Sequence, residues 1–583
     1  MRHQKRQRGQ KKPVTRHQKQ RGMVRVCVCS DVEGVGVGEE ENSSASSASS
    51  ASSSGASLQQ CWYADDSSAL GKLHGILVWF RGLRRIGPSY GYHPEAAKCF
   101  LIVKPELEHI ARELFEPEGV QIVTGKRFLG GYVGDEGGRA AFLCEKVKGR
   151  VHGVRALASA ARNFPHTAHA AMTRSLQMEW DYVFRVVLTD ECALSPLREA
   201  IAKELPLLGG PVTPSEVDLM LLPARHGGTG IRDPLDRAAA AYPASHASTK
   251  VVSKPVQGKA PFYPGDHRAT IRHALTQSKQ QQDSAYKAKR EAALPHIDRR
   301  RHRVLSRSAE YKTSGWLTVL PLTDNNTDLD AAEFRDALNI RYGRHPPGLA
   351  ARCDHCNQPL TVDHALCCKR YGLMIRRHNE LRDTFAELIG MAWGDAGVRR
   401  EVVLKEGEGG VRADIVARGV WERQAAASFD IYITDADAPS YASKNRSTKS
   451  ILRQHETAKK KKYRSAVCDS RVTFCPLVVT CDGVWGHDAN VFIAHMAHAL
   501  LEKEGWKGYR SHVPSYIWGA AGTCVMAAEI ISEELAHQRF LHYNDAAIDQ
   551  LQQVCRNAPD VKRSKKEEEL MGRGSIPPPL EPV

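Results

Sequence analysis

The chain lacks several features that would place it quickly. No run of about 18 apolar residues occurs, so no membrane-spanning helix is expected. The basic start is followed by no apolar h-region, which argues against a secretory signal. Aromatic residues are sparse at 7%, and the 15 cysteines form an odd number. Without an export signal those thiols are expected to be reduced or metal-bound rather than paired. Acidic residues are missing altogether from residues 1–22, which hold nine Lys or Arg.

What is present is length, apolar content and positive charge. With 583 residues, 42% of them hydrophobic, the chain has material for roughly three or four domains. The net charge is +16, and the surplus persists beyond the basic leader. A balance of this kind favours a polyanionic partner, because each Lys or Arg placed at a phosphate releases condensed counterions.

Composition divides the chain. Residues 1–22 nearly repeat themselves, with Arg2-His3-Gln4-Lys5 and Arg16-His17-Gln18-Lys19; they suit either a nucleic-acid or nuclear-import tail or a plain disordered leader. Residues 43–57 are almost entirely Ser and Ala and bury too little to offset ordering entropy, so folded sequence is expected from Leu58. Leu70, Leu73, Leu77, Phe80 and Leu83 predict an amphipathic helix over 68–86, ended by Gly87-Pro88. Cys99 to Val103 reads as a buried strand, and 120–123 with 128–133 as a hairpin turning at Gly125. Helical text follows to Leu208. Residues 243–300 are polar and read as linker or exposed helix; 557–583 read as frayed tail.

Three clusters carry chemistry. Tyr63-Ala64-Asp65-Asp66 places adjacent carboxylates on a tight strand turn, which suits divalent cations; an adjacent Asp pair is also common in solvated turns. Cys353-x2-Cys356-x7-His364-x3-Cys368 has the spacing of a tetrahedral zinc shell, with Cys367 a rival for the last place. A complete four-ligand shell has no open position, so that zinc would be structural. Farther on, Asp414 and Asp430 each sit among β-type residues, separated by 15 residues. His455-Glu456 then leads into Lys459-Lys460-Lys461-Lys462-Tyr463, where Lys459 and Tyr463 share a helical face at i and i+4. These could equally be strand-end turns and a solvated basic patch.

The surroundings of these clusters resemble one family. Gly91-Tyr92-His93-Pro94 leading to Lys98, then Phe128-Leu129-Gly130-Gly131, then Leu222-Pro223-Ala224-Arg225-His226-Gly227-Gly228 follow the Asp pair in order. Residues 58–250 thereby resemble the C-terminal palm and thumb of non-LTR retrotransposon reverse transcriptases, with the glycine pair at 130–131 in the primer-grip hairpin. Ser314-Gly315-Trp316, Phe334-Arg335-Asp336 and Arg341-Tyr342-Gly343 resemble the bridge to that family's knuckle, where Cys368 is the favoured last ligand. The segment Arg377-His378-Asn379-Glu380 and the two strand acids are similar to the restriction-like endonuclease of the same elements, a relative of the PD-(D/E)xK nucleases.

The resemblance implies an α+β multidomain chain. Its parts are a leader (1–57), a partial reverse transcriptase palm (58–140), a helical thumb (141–250), a basic linker (251–312), a bridge (313–352), a zinc knuckle (353–376), a PD-(D/E)xK-like α/β nuclease with C-terminal helices (377–545) and a charged, Pro-rich tail (546–583). It implies catalytic roles for Asp65 and Asp66 in polymerisation, and for Asp414, Asp430, Lys459 and Tyr463 in DNA cleavage. Lys460 and Lys462 rival Lys459. It implies structural Zn2+, catalytic Mg2+ or Mn2+ on Asp414 and Asp430, and DNA and RNA partners met through Lys98, Arg225, Arg377 and His378. A nuclear location follows from the need to meet chromosomal DNA.

The departures also matter. The family's further metal-binding Asp lies on a strand well upstream of the Asp pair, yet only 64 residues precede Asp65, basic or Ser/Ala-rich, and Asp31 sits in a short Gly-rich stretch. Independent polymerase activity is therefore not expected. The usual nuclease Lys position, two after the second acid, holds Tyr432, and Ala413 stands where Pro often precedes the first acid. A non-catalytic zinc-containing nucleic-acid-binding protein and an inactive relic of a decayed element are the competing readings.

Overall fold

The computed structural model describes residues 23–27, 58–63, 66–210, 212–256, 261–310, 312–322, 327–353, 355–370, 373–406 and 410–503. The chain divides into two compact units, Met1–Leu207 with Pro211–His296, and Leu208–Gly210 with Ile297–Val583. Both are mixed α/β. No helix among the described residues is long and apolar enough to cross a membrane. The Ser/Ala-rich stretch, residues 504–545 of the region expected to end in C-terminal helices, and the tail lie outside the described residues.

The first unit opens with a five-stranded sheet. Its strands are β1 (Met23–Cys27), β2 (Gln59–Tyr63), β3 (Asp66–Leu70), β4 (Phe100–Ile102) and β5 (Gln121–Val123), in the order β2-β3-β1-β4-β5. Strands β2 and β3 form an antiparallel hairpin, and β1 runs parallel to both β3 and β4. Helices α1 (Leu73–Ile86) and α2 (Glu108–Phe115) cover it, with Ile76, Phe80, Leu101, Ala111 and Phe115 in one core.

Two expectations change here. Folded sequence does not begin at Leu58: within the basic leader, Met23–Cys27 enters the sheet, and its alternating valines, Val24 and Val26, suit a strand. The hairpin near Gly125 is displaced as well. Strand β5 pairs in parallel with β4, while β6 (Gly125–Phe128) and β7 (Gly131–Gly134) form the hairpin. Its two-residue turn is Leu129-Gly130, with φ of 46° and 82°. Positive φ at both central residues is what a tight hairpin of this hand requires, and Gly130 takes the second place without strain.

Helices follow: α3 (Glu136–Ala161), α4 (Pro165–Ala171), α5 (Gln177–Val186), α6 (Glu191–Glu204), α7 (Pro206–Gly209), α8 (Pro214–Met220), α9 (Pro234–Val256) and α10 (Pro264–Ala293). Asp135 caps α3 by accepting from Gly138 N at 2.7 Å. The stretch expected as linker or exposed helix is mostly helix. Only a thin stripe of α10, Ala274, Tyr286 and Ala293, is buried, and Lys289 reaches Asp236 of α9 at 2.6 Å. So narrow a stripe leaves little periodicity to read.

The second unit contains α11 (Arg299–Ser308), α12 (Ala331–Arg341), α13 (Val362–Cys367), α14 (Leu373–Trp393), β8 (Val398–Lys405), β9 (Val411–Arg418), β10 (Ala426–Thr434), α15 (Pro439–Ala442), α16 (Thr448–Ser470), β11 (Thr473–Thr480) and α17 (His487–Glu502). The sheet order is β11-β10-β9-β8. Its first three strands pair antiparallel, while β10 and β11 are parallel. A parallel neighbour needs a long crossover, and α16 supplies it. Phe429 and Ile431 of β10 enter a core with Leu381, Phe385 and Ile389 of α14 and Phe492, Ile493 and Met496 of α17. The intervening residues, Asp430 and Tyr432, face α16 instead, because side chains alternate along a strand.

Phe492 is fully buried and meets Phe429 with ring centroids 4.5 Å apart. Truncating such a ring leaves a cavity, so Phe492→Ala is expected to destabilise this unit by about 3–5 kcal/mol, read by urea denaturation.

Candidate functional site

The cysteine-histidine cluster is built from a tight turn and one helix. Cys353 N donates to Gln358 O at 2.8 Å, Asn357 N donates back to Cys353 O at 2.8 Å, and Asn357 takes a left-handed φ of 57°. That reversal brings Cys353 and Cys356 together. Thr361 caps α13 by accepting from His364 N at 3.1 Å, which sets the helix that carries His364. The donor atoms of Cys353, Cys356, His364 and Cys368 all lie within 4.8 Å of one another. Cys353 Sγ to Cys368 Sγ is 3.9 Å. A tetrahedron with zinc–sulfur bonds of about 2.3 Å has sulfur–sulfur edges of about 3.8 Å, so the spacing and donor set fit a zinc ion. Cys367 is exposed and faces away, toward Asp435 Oδ2 at 3.6 Å. That settles the rivalry in favour of Cys368. Among the described residues no other group gathers three or more such ligand atoms.

A ladder of arginines on α11 ties this cluster to the sheet. Arg300 forms a two-pronged pair with Asp363 of α13, at 2.6 and 2.9 Å. Arg303 donates to Ala436 O at 2.6 Å, just beyond β10. Arg307, 5% exposed, pairs with Asp437 and Asp482.

The two strand acids meet next to α14 and α16. The β9–β10 register runs from Ala426↔Arg418 to Phe429↔Ile415, and one step further would set Asp430 opposite Asp414. Pairing stops there. Asp414 Oδ2 instead accepts from Ile431 N at 2.6 Å and faces His378 Nε2 at 3.2 Å. Asp430 is 5% exposed. Its Oδ2 pairs with Lys459 Nζ, and its Oδ1 accepts from the Tyr463 hydroxyl. Lys459 also lies over the Tyr432 ring, 5.1 Å from its centroid. Burial pushes the Asp430 carboxyl above the usual carboxylate range; Lys459 opposes this and Asp414 adds to it. Burial and the Asp430 charge raise the Tyr463 phenol as well, so it stays a donor. His378 moves up because its bond to Asp414 favours the imidazolium.

The lysine run resolves into separate roles. Lys459 reaches Asp430, while Lys460 pairs with Asp488 at 2.7 Å on the first turn of α17. Lys462 lies over the Tyr463 ring at 5.5 Å. Glu456 accepts from Asp488 N at 3.1 Å, so it caps α17. Gly486 makes room for it: a Cβ there would stand 2.3 Å from Glu456 Oε1.

The residues assigned to nucleic acid fare differently. Arg377 is 4% exposed. It stands one turn before Leu381 on the buried stripe of α14, with its charge near Cys481, so it lies inside rather than at a surface. His378 is half-exposed and engaged with Asp414. Lys98 is exposed, paired with Glu95 at 2.7 Å. Arg225 is exposed and paired with Asp283. Its neighbours form a buried turn: Thr229 Oγ1 donates to Met220 O at 2.8 Å, and a Cβ on Gly228 would stand 1.9 Å from Leu222 O.

Of the Asp pair, Asp65 lies outside the described residues, and Asp66 opens β3 facing Tyr63. The strand beside it, Met23-Val24-Arg25-Val26-Cys27, carries no carboxylate. A cavity of about 770 Å3 in the first unit, lined by Asp190, Arg198, Asp233 and Lys289 among others, holds none of the predicted site residues. Compared with known proteins, the chain matches no family model, and no curated protein matches it significantly.

Two measurements follow. Metal analysis of the purified chain is expected to give one zinc, lost in Cys353→Ser and kept in Cys367→Ser. His378 contributes stability as an imidazolium, in full below its ordinary value of about 6.5 and lost as pH rises through its raised folded value. The stability difference between wild type and His378→Ala is therefore expected to shrink from pH 5.5 to pH 9, followed by denaturant titration.

Proposed function

We propose that the second unit is a metal-dependent DNA endonuclease of the restriction-like kind found in non-LTR retrotransposons, joined to a reverse transcriptase palm and thumb remnant that does not polymerise. The observation that carries this is the meeting of Asp414, Asp430, Lys459 and Tyr463, from two strands and one helix, in the arrangement the resemblance implies. The knuckle cysteines and histidine would hold a structural zinc.

The donor set at the acids fits a hard divalent ion. Two carboxylates are what Mg2+ or Mn2+ takes from a protein, the remaining positions going to water and substrate phosphate. Asp430 is 5% exposed, and burial pushes its carboxyl above the usual range despite the Lys459 ammonium at Oδ2, so a cation there would favour the ionised form. When bound, the ion would supply charge stabilisation at the scissile phosphate and a more acidic water.

The protein's own groups do the rest. Asp414 of β9 and Asp430 of β10 would hold the ion. Tyr463 holds Asp430 by donating to Oδ1. Lys459, beside Asp430 and over the Tyr432 ring, would orient the attacking water and offset charge on the phosphorane. Water gives up a proton to solvent as its oxygen bonds to phosphorus, the phosphorus–O3′ bond breaks, and the leaving alkoxide takes a proton from solvent. A 3′-hydroxyl remains, which is what priming from a nick requires.

The net charge of +16 supports DNA and RNA as partners and, with them, a nuclear location. Strand β1, which pairs with β3 beside Asp66, carries no acid, and this supports the view that polymerisation is not the activity of this unit. A nucleic-acid binder without catalysis would share the charge and the knuckle, but it would not cleave. The test is nicking of supercoiled plasmid by the purified chain in Mg2+ or Mn2+. Wild type is expected to nick, the double variant Asp414→Ala/Asp430→Ala to lose at least about 100-fold, and neither to extend a primer on RNA. Equal nicking by both proteins would defeat the endonuclease reading.

A further inference from the structure

The two acids are held by different helices, and the second holder was not expected. We propose that His378 is a positioning residue that fixes Asp414 as a one-oxygen metal ligand, rather than a contact to nucleic acid. This rests on the endonuclease reading of the same site.

Asp414 Oδ2 is engaged twice within the protein, by Ile431 N at 2.6 Å and by His378 Nε2 at 3.2 Å. Among the described residues no donor engages Oδ1. A carboxylate turns easily about its last torsion, which is broad and nearly two-fold. One backbone donor fixes a single oxygen but leaves the plane free to rock. A second donor, arriving from another element, fixes the plane and leaves Oδ1 as the atom presented to a cation.

The holder is itself held. On α14, Arg377 and Leu381 flank His378 and point into the interior, at 4% and 0% exposure, so the helix cannot slide. Asn379, next along α14, favours the His378 imidazolium together with Asp414, and Arg382 Nη1 donates to Asn379 Oδ1 at 3.1 Å. His378 is a poor candidate for a ligand to the ion, because Mg2+ and Mn2+ favour oxygen donors and Nε2 already faces an oxygen. The site thus has one holder per acid: α14 through His378 for Asp414, and α16 through Tyr463 and Lys459 for Asp430. Residues that orient a ligand typically alter metal affinity 10–100-fold when removed.

The test uses the full, zinc-loaded chain. Manganese binding is read by electron paramagnetic resonance, with Asp414→Ala/Asp430→Ala as the baseline for other sites. DNA affinity is read by fluorescence anisotropy in EDTA, which leaves the acids without metal. His378→Ala is expected to weaken manganese binding by about 10-fold or more and to raise the manganese needed for half-maximal nicking in step. DNA affinity in EDTA should be unchanged. His378→Gln, which keeps a donor at similar reach, should recover most of the loss. Asn379→Ala, which only loosens the imidazole, should shift manganese binding the same way by less, and it serves if His378→Ala does not fold. Wild-type manganese affinity in His378→Ala, or in both His378→Gln and Asn379→Ala with a fall in DNA affinity, overturns the inference. A wild type that binds manganese at the acids without nicking removes the endonuclease reading, and the manganese series alone then decides the role of His378.

Discussion

Burying the Asp430 carboxylate is the constraint on which the second unit turns. A charged group only 5% exposed is costly unless it is paired and hydrogen-bonded. Both partners come from α16, four residues apart on one face, so that helix must lie across β10 in a single register. The same helix is the crossover that makes β11 parallel to β10. Chain connection and charge compensation therefore demand the same placement. Packing alone would leave more freedom, since a helix on an apolar sheet face can shift by a turn at modest cost. Moving α16 by a turn would strand Asp430 without a counter-charge.

This explains which parts of the site were legible in the sequence. The strand acids stood out because β-type residues surround them, and Lys459 with Tyr463 because i and i+4 define a helical face. The Cys/His spacing was equally direct, since the ligands belong to one short turn and one helix. What could not be read was direction. Arg377 looked like a surface cation because arginine usually is one, but its position on the stripe of Leu381 and Phe385 turns it inward. His378 is next to it in sequence, about 100° around the helix, and so reaches Asp414 instead. Only the register of α14 against β9 separates the two fates.

The first unit shows the complementary limit. Strand β1 is five residues without an acid or an aromatic, and its place between β3 and β4 depends wholly on partners distant in sequence. Helix α10 has the length of a major element but buries little along it, so its sequence does not separate an exposed helix from a linker. The hairpin turn at Leu129-Gly130 was hidden by a second glycine, Gly125, which looked a better turn residue and instead begins β6. In each case the local text was consistent with the structure adopted but did not select it over its rivals. The selection came from pairing, which sequence periodicity does not record.

The arginine ladder on α11 bears on what the knuckle is. A finger on a flexible tether would need only its metal to fold, and its orientation would not matter to the sheet. Here Arg300 grips the helix that carries His364, while Arg303 and Arg307, on the same face at the next turns, grip the segment after β10 and the end of β11. Arg307 is nearly buried, so its pairing with Asp437 and Asp482 cannot be exchanged freely for water. The Cys/His cluster and the strand that holds Asp430 are thus fixed to one short helix through charges that must stay matched. A change in the cluster's geometry reaches the far end of β10 through rigid contacts rather than through a linker. On physical grounds the cluster belongs to the frame of the site and is not an appendage to it.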